Sequence, residues 1–453
     1  MFVVDSRQAS AGIREQAEME TILDALARGG YRLAMREMYS GLRQSVSPGS
    51  TEETASLLAS QAAKFGRRYS MQMRPVVGEI LFKDSHAFII VPDVTRLICY
   101  NVRHSQVETA IEDFCAAVES ATRIGLDGRR VRGMSFAWRP VAKDPQFIAM
   151  AGARLRRVPR RSLSASISDV REMKPEYGEP QRAGASLLVE EGARTFLLQL
   201  AQVTRALTTD TGPLGSEADV GRLLDTGLIR REYLFSCRQD SHTLCTLPSR
   251  DILANAAGSQ IKCPVCRRGY ADELIRDIYV LTDLARELLD GSRWMQIWIT
   301  ELLCRNGVPR EQIRWNVGAT GEDLDVKVDV FGHTVFFELK DRDFGLGDAY
   351  PFTMRVNRYA GEFGIVATTG RVAEDARNLF EEQNKQPQEI RGASISWLEA
   401  AEGVSRGIGE QLETISRSHV AMLVQAFSDA VGLDLWPAFA RWLDTVVADV
   451  PDA

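Results

Sequence analysis

The sequence predicts a multidomain chain of α/β and α+β class, and three observations lead there. Apolar spacing changes period several times along the 453 residues, from helical near the start to strand-like between Gly78 and Val102 and back again. Four of the seven cysteines crowd between Cys237 and Cys266. A charged run, Glu322 to Lys340, is set into an otherwise apolar pair of strand-like segments. The length suffices for two to four domains with their own cores. Hydrophobic (45%) and charged (26%) fractions are those of a soluble globular protein. The net charge of −6 argues against a generally basic nucleic-acid coat and leaves room for a local basic groove. No apolar run has membrane-spanning length, and the Met1–Asp5 start lacks a signal-peptide plan. The uneven cysteines suit a reducing compartment, so a cytoplasmic protein without membrane contact is expected.

Residues 1–150 read as a mixed α/β domain of unassigned role. Ile13, Ala17, Met19, Ile22, Leu23 and Leu26 give a helix an apolar face that stops at Gly29-Gly30. Helices are expected at Arg32–Leu42 and Thr51–Phe65, then strands at Gly78–Phe82, Ala87–Val91 and Arg96–Val102. An amphipathic helix follows over Gln106–Ile124, and Val131–Trp138 returns as a strand. Residues 151–184 have linker character. Arg154, Arg156 and Arg157 crowd near Pro159, either as phosphate contacts or as a solvated connection.

Residues 185–236 combine a helix at Gly192–Ala206, a capping-box-like Ser216-Glu-Ala-Asp219 opening a short helix, and a strand entering at Leu228. This order resembles a winged helix. Its second helix presents Glu217, Asp219 and Asp225 against Arg222, which phosphate would repel. A structural or protein-contact role is therefore favoured, with Arg230 and Arg231 as the remaining phosphate candidates.

Residues 237–270 hold Cys237-x4-His242-x2-Cys245 and then Cys263-Pro-Val-Cys266. The C-P-x-C half places two thiolates around one metal. A hairpin pairing Cys237 with His242 on one face leaves Cys245 facing the other way. The expected structural Zn²⁺ ligands are Cys237, His242, Cys263 and Cys266, with Cys245 as the alternative to His242. The segment resembles a zinc ribbon.

Within residues 271–400, helices are expected over Ala271–Leu289 and Gly291–Leu303, followed by a strand at Ile313–Val317. Leu324, Val326, Val328 and Val330 then alternate with Asp325, Lys327 and Asp329, and a second strand ends Val335-Phe-Phe-Glu-Leu-Lys340. A two-residue loop at Phe331-Gly332 sets Asp325 opposite Glu338; a loop at Gly332-His333 sets Asp325 opposite Lys340. Either register gathers Asp325, Glu338 and Lys340 into one patch. Asp329 lies about 13 Å further along the strand. Two adjacent carboxylates repel, and a hard divalent cation relieves that repulsion.

Asp325 with Glu338-Leu339-Lys340 resembles the motif of the PD-(D/E)XK, or restriction-endonuclease-like, nuclease superfamily, over roughly residues 285–400. The resemblance implies a metal-dependent phosphodiesterase. Asp325, Glu338 and the Leu339 carbonyl would hold Mg²⁺ or Mn²⁺, and Lys340 would position a water. Asp323 is a near neighbour that would assist. Relatives carry an acid where Gln296 stands here; Glu301, on the same helix stripe, would serve instead or be an ordinary solvated helix residue, the reading favoured. Some relatives carry Gln-x-x-x-Tyr where this chain has Arg355-x-x-x-Tyr359; Arg355 would hold a phosphate or pair with an acid.

Residues 401–453 read as C-terminal helices for core or dimer packing. The reading is thus an endonuclease acting on nucleic acid, with DNA the expected substrate, by analogy an effector of bacterial restriction or anti-phage defence, under a partner or activator where one exists. The rival is a non-cleaving nucleic-acid or protein-binding module on a degenerate nuclease core.

Overall fold

The computed structural model describes residues 2–10, 12–13, 16–37, 78–92, 97–104, 107–122, 138–140, 171–202, 207–208, 217–254, 262–318, 323–330, 333–386, 392–431 and 435–448. The chain is a mixed α/β protein divided into two compact units, with three sheets among the described residues. One unit comprises Met1–Ser162, Asp329–His333 and Gly409–Ala453; the other comprises Leu163–Val328 and Thr334–Ile408. The expected helix at Thr51–Phe65, most of the Val131–Trp138 strand, and Arg154, Arg156 and Arg157 lie outside the described residues.

The first unit is built on a six-stranded sheet, β1 (Phe2–Gln8), β2 (Arg32–Leu33), β3 (Glu79–Lys83), β4 (His86–Pro92), β5 (Leu97–His104) and β6 (Arg139–Pro140), in the order β2-β3-β4-β5-β1-β6. All the pairings are antiparallel. The opening residues form β1, which pairs along its whole length with β5 and, at Arg7 and Gln8, also with β6. One expectation, the helix at Arg32–Leu42, is corrected in part. Arg32–Leu33 is a strand paired with Leu81–Phe82, residues 34–37 after it are helical, and residues 38–42 lie outside the described residues; at Arg32–Leu33 tertiary pairing overrides local helix propensity.

Both faces of this sheet are covered, which explains why β3, β4 and β5 read as continuous apolar runs. On one face α1 (Gln16–Arg28) and α2 (Ile111–Thr122) bring Met19, Ile22, Leu23, Phe114, Cys115 and Val118 against Leu81, Phe88 and Ile90. On the other face Val420, Val424, Leu435, Phe439, Trp442 and Leu443 meet Ile80, Phe82, Ile89 and Tyr100.

The second unit holds two sheets. Its elements begin with β7 (Arg171–Met173), α3 (Glu179–Leu188), α4 (Glu191–Gln202), β8 (Leu207–Thr208), α5 (Glu217–Asp225), β9 (Ile229–Ser236), β10 (Thr243–Leu247), α6 (Asp251–Ala254) and β11 (Leu274–Leu281). They continue with α7 (Asp283–Leu289), α8 (Arg293–Arg305), β12 (Ile313–Gly318), β13 (Leu324–Val330), β14 (His333–Lys340), α9 (Leu346–Arg358), β15 (Phe363–Thr368), α10 (Glu374–Lys385), β16 (Ser394–Glu399) and the start of α11 (Ala400–Val431), whose residues from Gly409 onward belong to the first unit. The small sheet runs β10-β9-β11-β8 and the large one β16-β15-β14-β13-β12-β7. In the large sheet β12 and β13 are antiparallel, whereas β14, β15 and β16 are parallel with helical crossovers.

Two further expectations fail in this unit. Residues 171–184 are not linker: β7 pairs with the edge of the large sheet, and α3 begins at Glu179 with Pro180 in its first turn. Gly184 makes the close packing of α3 feasible, since a Cβ there would lie 2.7 Å from Leu288 and 3.1 Å from Leu228. Ala271–Leu289 is not one helix. Leu274–Leu281 forms β11, and Thr282 then caps α7 by accepting from the Ala285 N–H (3.3 Å). Ile275, Ile278, Tyr279 and Val280 suit a strand, and eight consecutive pairings with β9 hold it there.

Candidate active site and cysteine cluster

β13 closes at Val330 and β14 opens at His333, and Phe331 and Gly332 lie outside the described residues. The two strands are neighbours in the large sheet. The Asp325 carboxylate accepts from the Leu339 N–H (2.7 Å), which anchors the acid of one strand on the backbone of the other. Glu338 is 3% exposed, and its Oε1 meets Lys340 Nζ (3.0 Å) and Arg355 Nη2 (2.9 Å). Its other oxygen, Oε2, is buried with no hydrogen-bond partner. Such an atom is costly unless something else completes its coordination.

Burial, and then the charge of Glu338, push the Asp325 carboxyl up to about 7, against the pull of the Leu339 N–H, Lys340 and Arg355. Asp325 and Glu338 therefore feel each other directly, as two carboxylates sharing one site do. A hard divalent cation fits this donor set. It would satisfy the buried Glu338 oxygen, replace the proton on Asp325 and remove the repulsion.

α9 lies over the face of β14 that carries Phe336, Glu338 and Lys340. Arg355 reaches Glu338, and the Tyr359 ring lies 6.4 Å from the Phe336 ring. Arg355 also donates to the Asp323 carbonyl (2.7 Å), so Asp323 joins the group through its backbone. Gln296, 5% exposed on α8, donates to Asn316 Oδ1 (2.7 Å) and to the Asp325 carbonyl (3.2 Å). Its amide thus reaches the backbone of the key acid, while its own carbonyl oxygen carries no carboxylate charge. Glu301 is engaged elsewhere: it accepts from the Tyr177 hydroxyl (2.6 Å) and lies near Arg182 and Arg310. Arg230 pairs with Glu232, and Arg231 lies 3.8 Å from Asp277, so both proposed phosphate contacts have acidic neighbours.

Arg194 was not singled out in the sequence. It is 8% exposed on α4, donates to the Leu188 and Val189 carbonyls at the end of α3, and pairs with Asp341 (3.1 Å), directly after Lys340. An arginine on a helix of mixed polarity gives no local sign that it will be buried against the end of a distant strand.

The second cluster lies at one end of the small sheet. The side-chain donors of Cys237, Cys263, Cys266 and Glu273 lie within 4.8 Å of one another, a group capable of holding a metal such as zinc. Glu273 is 3% exposed, accepts from the Cys266 thiol (2.6 Å) and from the Arg238 N–H (2.6 Å), and is held below the usual carboxylate range by those two bonds. The Glu273 carboxylate in turn pushes the Cys266 thiol up to about 12. His242 falls in a separate group with Cys237 and Asp240, its ring bonded to Asp240. Cys245 pairs across β10 and β9 with Phe235 and belongs to neither group. Glu273 escaped sequence reasoning because residues 271–289 read as a helix. The apolar and β-branched run of β11 was the available signal.

No family model matches the chain, and no curated protein matches it. Among solved structures the fold is similar to that of Can2 from Sulfobacillus thermosulfidooxidans, in complex with cyclic tetra-adenylate, at 13% identity and a TM-score of 0.31, covering 68% of this chain and 76% of that one. It is also similar to protein VC1899 from Vibrio cholerae, at 12% identity and a TM-score of 0.29, covering 57% of this chain and 59% of that one. Among the described residues no helix is long and apolar enough to cross a membrane.

Proposed function

We propose that this chain is a metal-dependent nuclease of PD-(D/E)XK type that hydrolyses phosphodiester bonds, with DNA as the expected substrate. The observation that carries the reading is that Asp325, Glu338 and Lys340 lie on paired strands with Lys340 held by one Glu338 oxygen while the other Glu338 oxygen is buried without a partner. Asp325 and Glu338, with the Leu339 carbonyl, would hold Mg²⁺ or Mn²⁺. When bound, the ion supplies charge neutralisation and Lewis-acid polarisation at a phosphate. Asp325 would release its proton to solvent as its carboxylate took up the ion. Lys340, 26% exposed and already oriented by Glu338, holds the attacking water and steadies charge on the phosphate. Arg355, which donates to both Glu338 and the Asp323 carbonyl, is the group to grip a non-bridging phosphate oxygen.

The remaining parts are assigned as modules that position substrate or a partner: residues 185–236 as winged-helix-like, 237–270 as zinc-ribbon-like with a structural metal, and 271–400 as the nuclease domain. A defence role, possession of an activator and self-association belong to the same proposal. Incubation with Mg²⁺ or Mn²⁺ and a panel of single- and double-stranded DNA and RNA tests it. Wild type should cleave; Lys340→Ala and Asp325→Ala should not, with folding retained. Cleavage that survives in both variants refutes the assignment.

One observation favours a second reading, a non-cleaving nucleic-acid or protein-binding module. The neutral Gln296 amide stands at the position where relatives carry an acid, and Arg355 already engages Glu338. Metal and nucleic-acid binding without hydrolysis across the whole panel would promote it.

A further inference from the structure

Two turns of the cysteine cluster share one backbone plan. In the first, the Cys237 N–H donates to the His242 carbonyl (2.9 Å), the Ser241 N–H donates to the Cys237 carbonyl (2.8 Å), and Ser241 is left-handed (φ 62°). In the second, the Cys263 N–H donates to the Arg268 carbonyl (2.7 Å), the Arg267 N–H donates to the Cys263 carbonyl (3.0 Å), and Arg267 is left-handed (φ 63°). Position by position, Cys237 corresponds to Cys263 and Asp240 to Cys266. The second turn therefore offers two sulfurs and the first offers one. His242 corresponds to Arg268, past the left-handed residue, and its ring is bonded to Asp240.

The missing fourth donor comes from the neighbouring strand. The antiparallel register of β9 and β11 pairs Ser236 with Leu274. One step beyond the ladder, the same register sets Cys237 opposite Glu273. Glu273 is buried, its Oε2 is fixed by the Arg238 N–H, and its Oε1 is turned to Cys266. Its carboxylate is within 4.8 Å of all three sulfurs, whereas Asp240 and His242 group with Cys237 alone among the cysteines.

We propose that the cluster is a zinc site of three thiolates and one carboxylate, Cys237, Cys263, Cys266 and Glu273, in which Glu273 takes the place that a second cysteine would fill in the first turn. Zinc accepts such an oxygen donor at about 2.0–2.2 Å beside sulfurs at about 2.3 Å. On binding, each ligating thiol still protonated releases its proton to solvent and the sulfur lone pair forms the bond to zinc. A hard oxygen among soft sulfurs makes the ion more exchangeable than a site of four thiolates would. The site also joins the end of β9, the start of β11 and the Cys263–Cys266 turn at one point. The inference rests on the metal reading of the cluster and is independent of nuclease activity.

The test uses the full chain, with zinc content by elemental analysis, affinity by chelator competition, and Co²⁺ in place of zinc as an optical probe. Wild type should carry one zinc per chain, and Co²⁺ should show tetrahedral bands with thiolate charge transfer. Glu273→Gln should weaken zinc by at least about tenfold. His242→Ala, Cys245→Ser and Asp240→Asn should leave the affinity within roughly twofold. Glu273→Cys should retain the metal and add thiolate charge-transfer intensity, a gain that requires position 273 to be in the coordination sphere; this variant decides the matter if Glu273→Gln fails to fold. Unchanged affinity in Glu273→Gln, no added intensity in Glu273→Cys, or a tenfold loss in His242→Ala or Asp240→Asn would overturn the ligand assignment alone. Wild type that neither carries nor takes up zinc would overturn the metal reading with it.

Discussion

Asp325 carries the conflict on which the candidate site turns. Its carboxyl is raised from 3.8 to about 7 by burial and by Glu338. The folded value lies above the unfolded one, so this group's contribution to stability is fully present below about pH 3.8 and is lost as pH rises through 7. Removing the charge should therefore help the metal-free protein where the charge is present. Asp325→Asn is expected to raise the melting temperature near pH 8 by a few degrees, to raise it less near pH 5 and to change it little only below about pH 3.8, as scanning calorimetry would show. A divalent ion held there, as proposed, would compete with the same proton. Stabilisation of wild type by Mg²⁺ or Mn²⁺ should grow between about pH 6 and pH 8, because Asp325 titrates near 7, and should vanish in Asp325→Asn. A thermal shift that is flat across this range would detach Asp325 from the metal.

At the scale of elements, α9 has to lie close on the parallel strands for Arg355 to reach Glu338. Gly364 permits this. A Cβ there would lie 2.6 Å from Ile395 and 3.0 Å from Phe352 of α9. Gly364→Ala should cost about 1–3 kcal/mol through overpacking, read as a lower urea midpoint at unchanged slope. The boundary between β11 and α7 depends on a single capping hydroxyl at Thr282. Thr282→Ala should cost about 1 kcal/mol, a loss that Thr282→Ser should largely spare. Residues 271–289 form a strand and a short helix where one helix was expected. Local apolar spacing fitted a helix, but the eight-residue pairing of β11 with β9 prevailed, because a long ladder outweighs small differences in propensity.

At the scale of the whole molecule, the last residues of the chain complete the core formed by the first. Phe439 is fully buried in the cluster that covers one face of the β1–β6 sheet, beside Phe82 and Trp442. Phe439→Ala should cost about 3–5 kcal/mol of the stability of that unit, measured as loss of its cooperative transition at lower denaturant. Deleting Gly409–Ala453 exposes the same face. Residues 1–162 expressed alone should fail to unfold cooperatively, and adding the C-terminal segment in trans should restore the transition. Independent folding of 1–162 would contradict this account.

The sequence by itself determined which residues alternate, which cysteines pair into a C-P-x-C turn, and that Asp325, Glu338 and Lys340 fall on compatible faces of consecutive strands. These are local properties, set by the period of two along a strand and by short spacings around a turn. Only the tertiary structure decided which distant groups complete each cluster. Arg355 meets Glu338 because α9 crosses β14. Arg194 meets Asp341 across a gap of more than a hundred residues. Glu273, not His242, joins the three sulfurs because the register of β9 with β11 brings position 273 opposite position 237. Registers and crossings come from the packing of whole faces against one another, and a single side chain carries almost none of that information in its own neighbourhood.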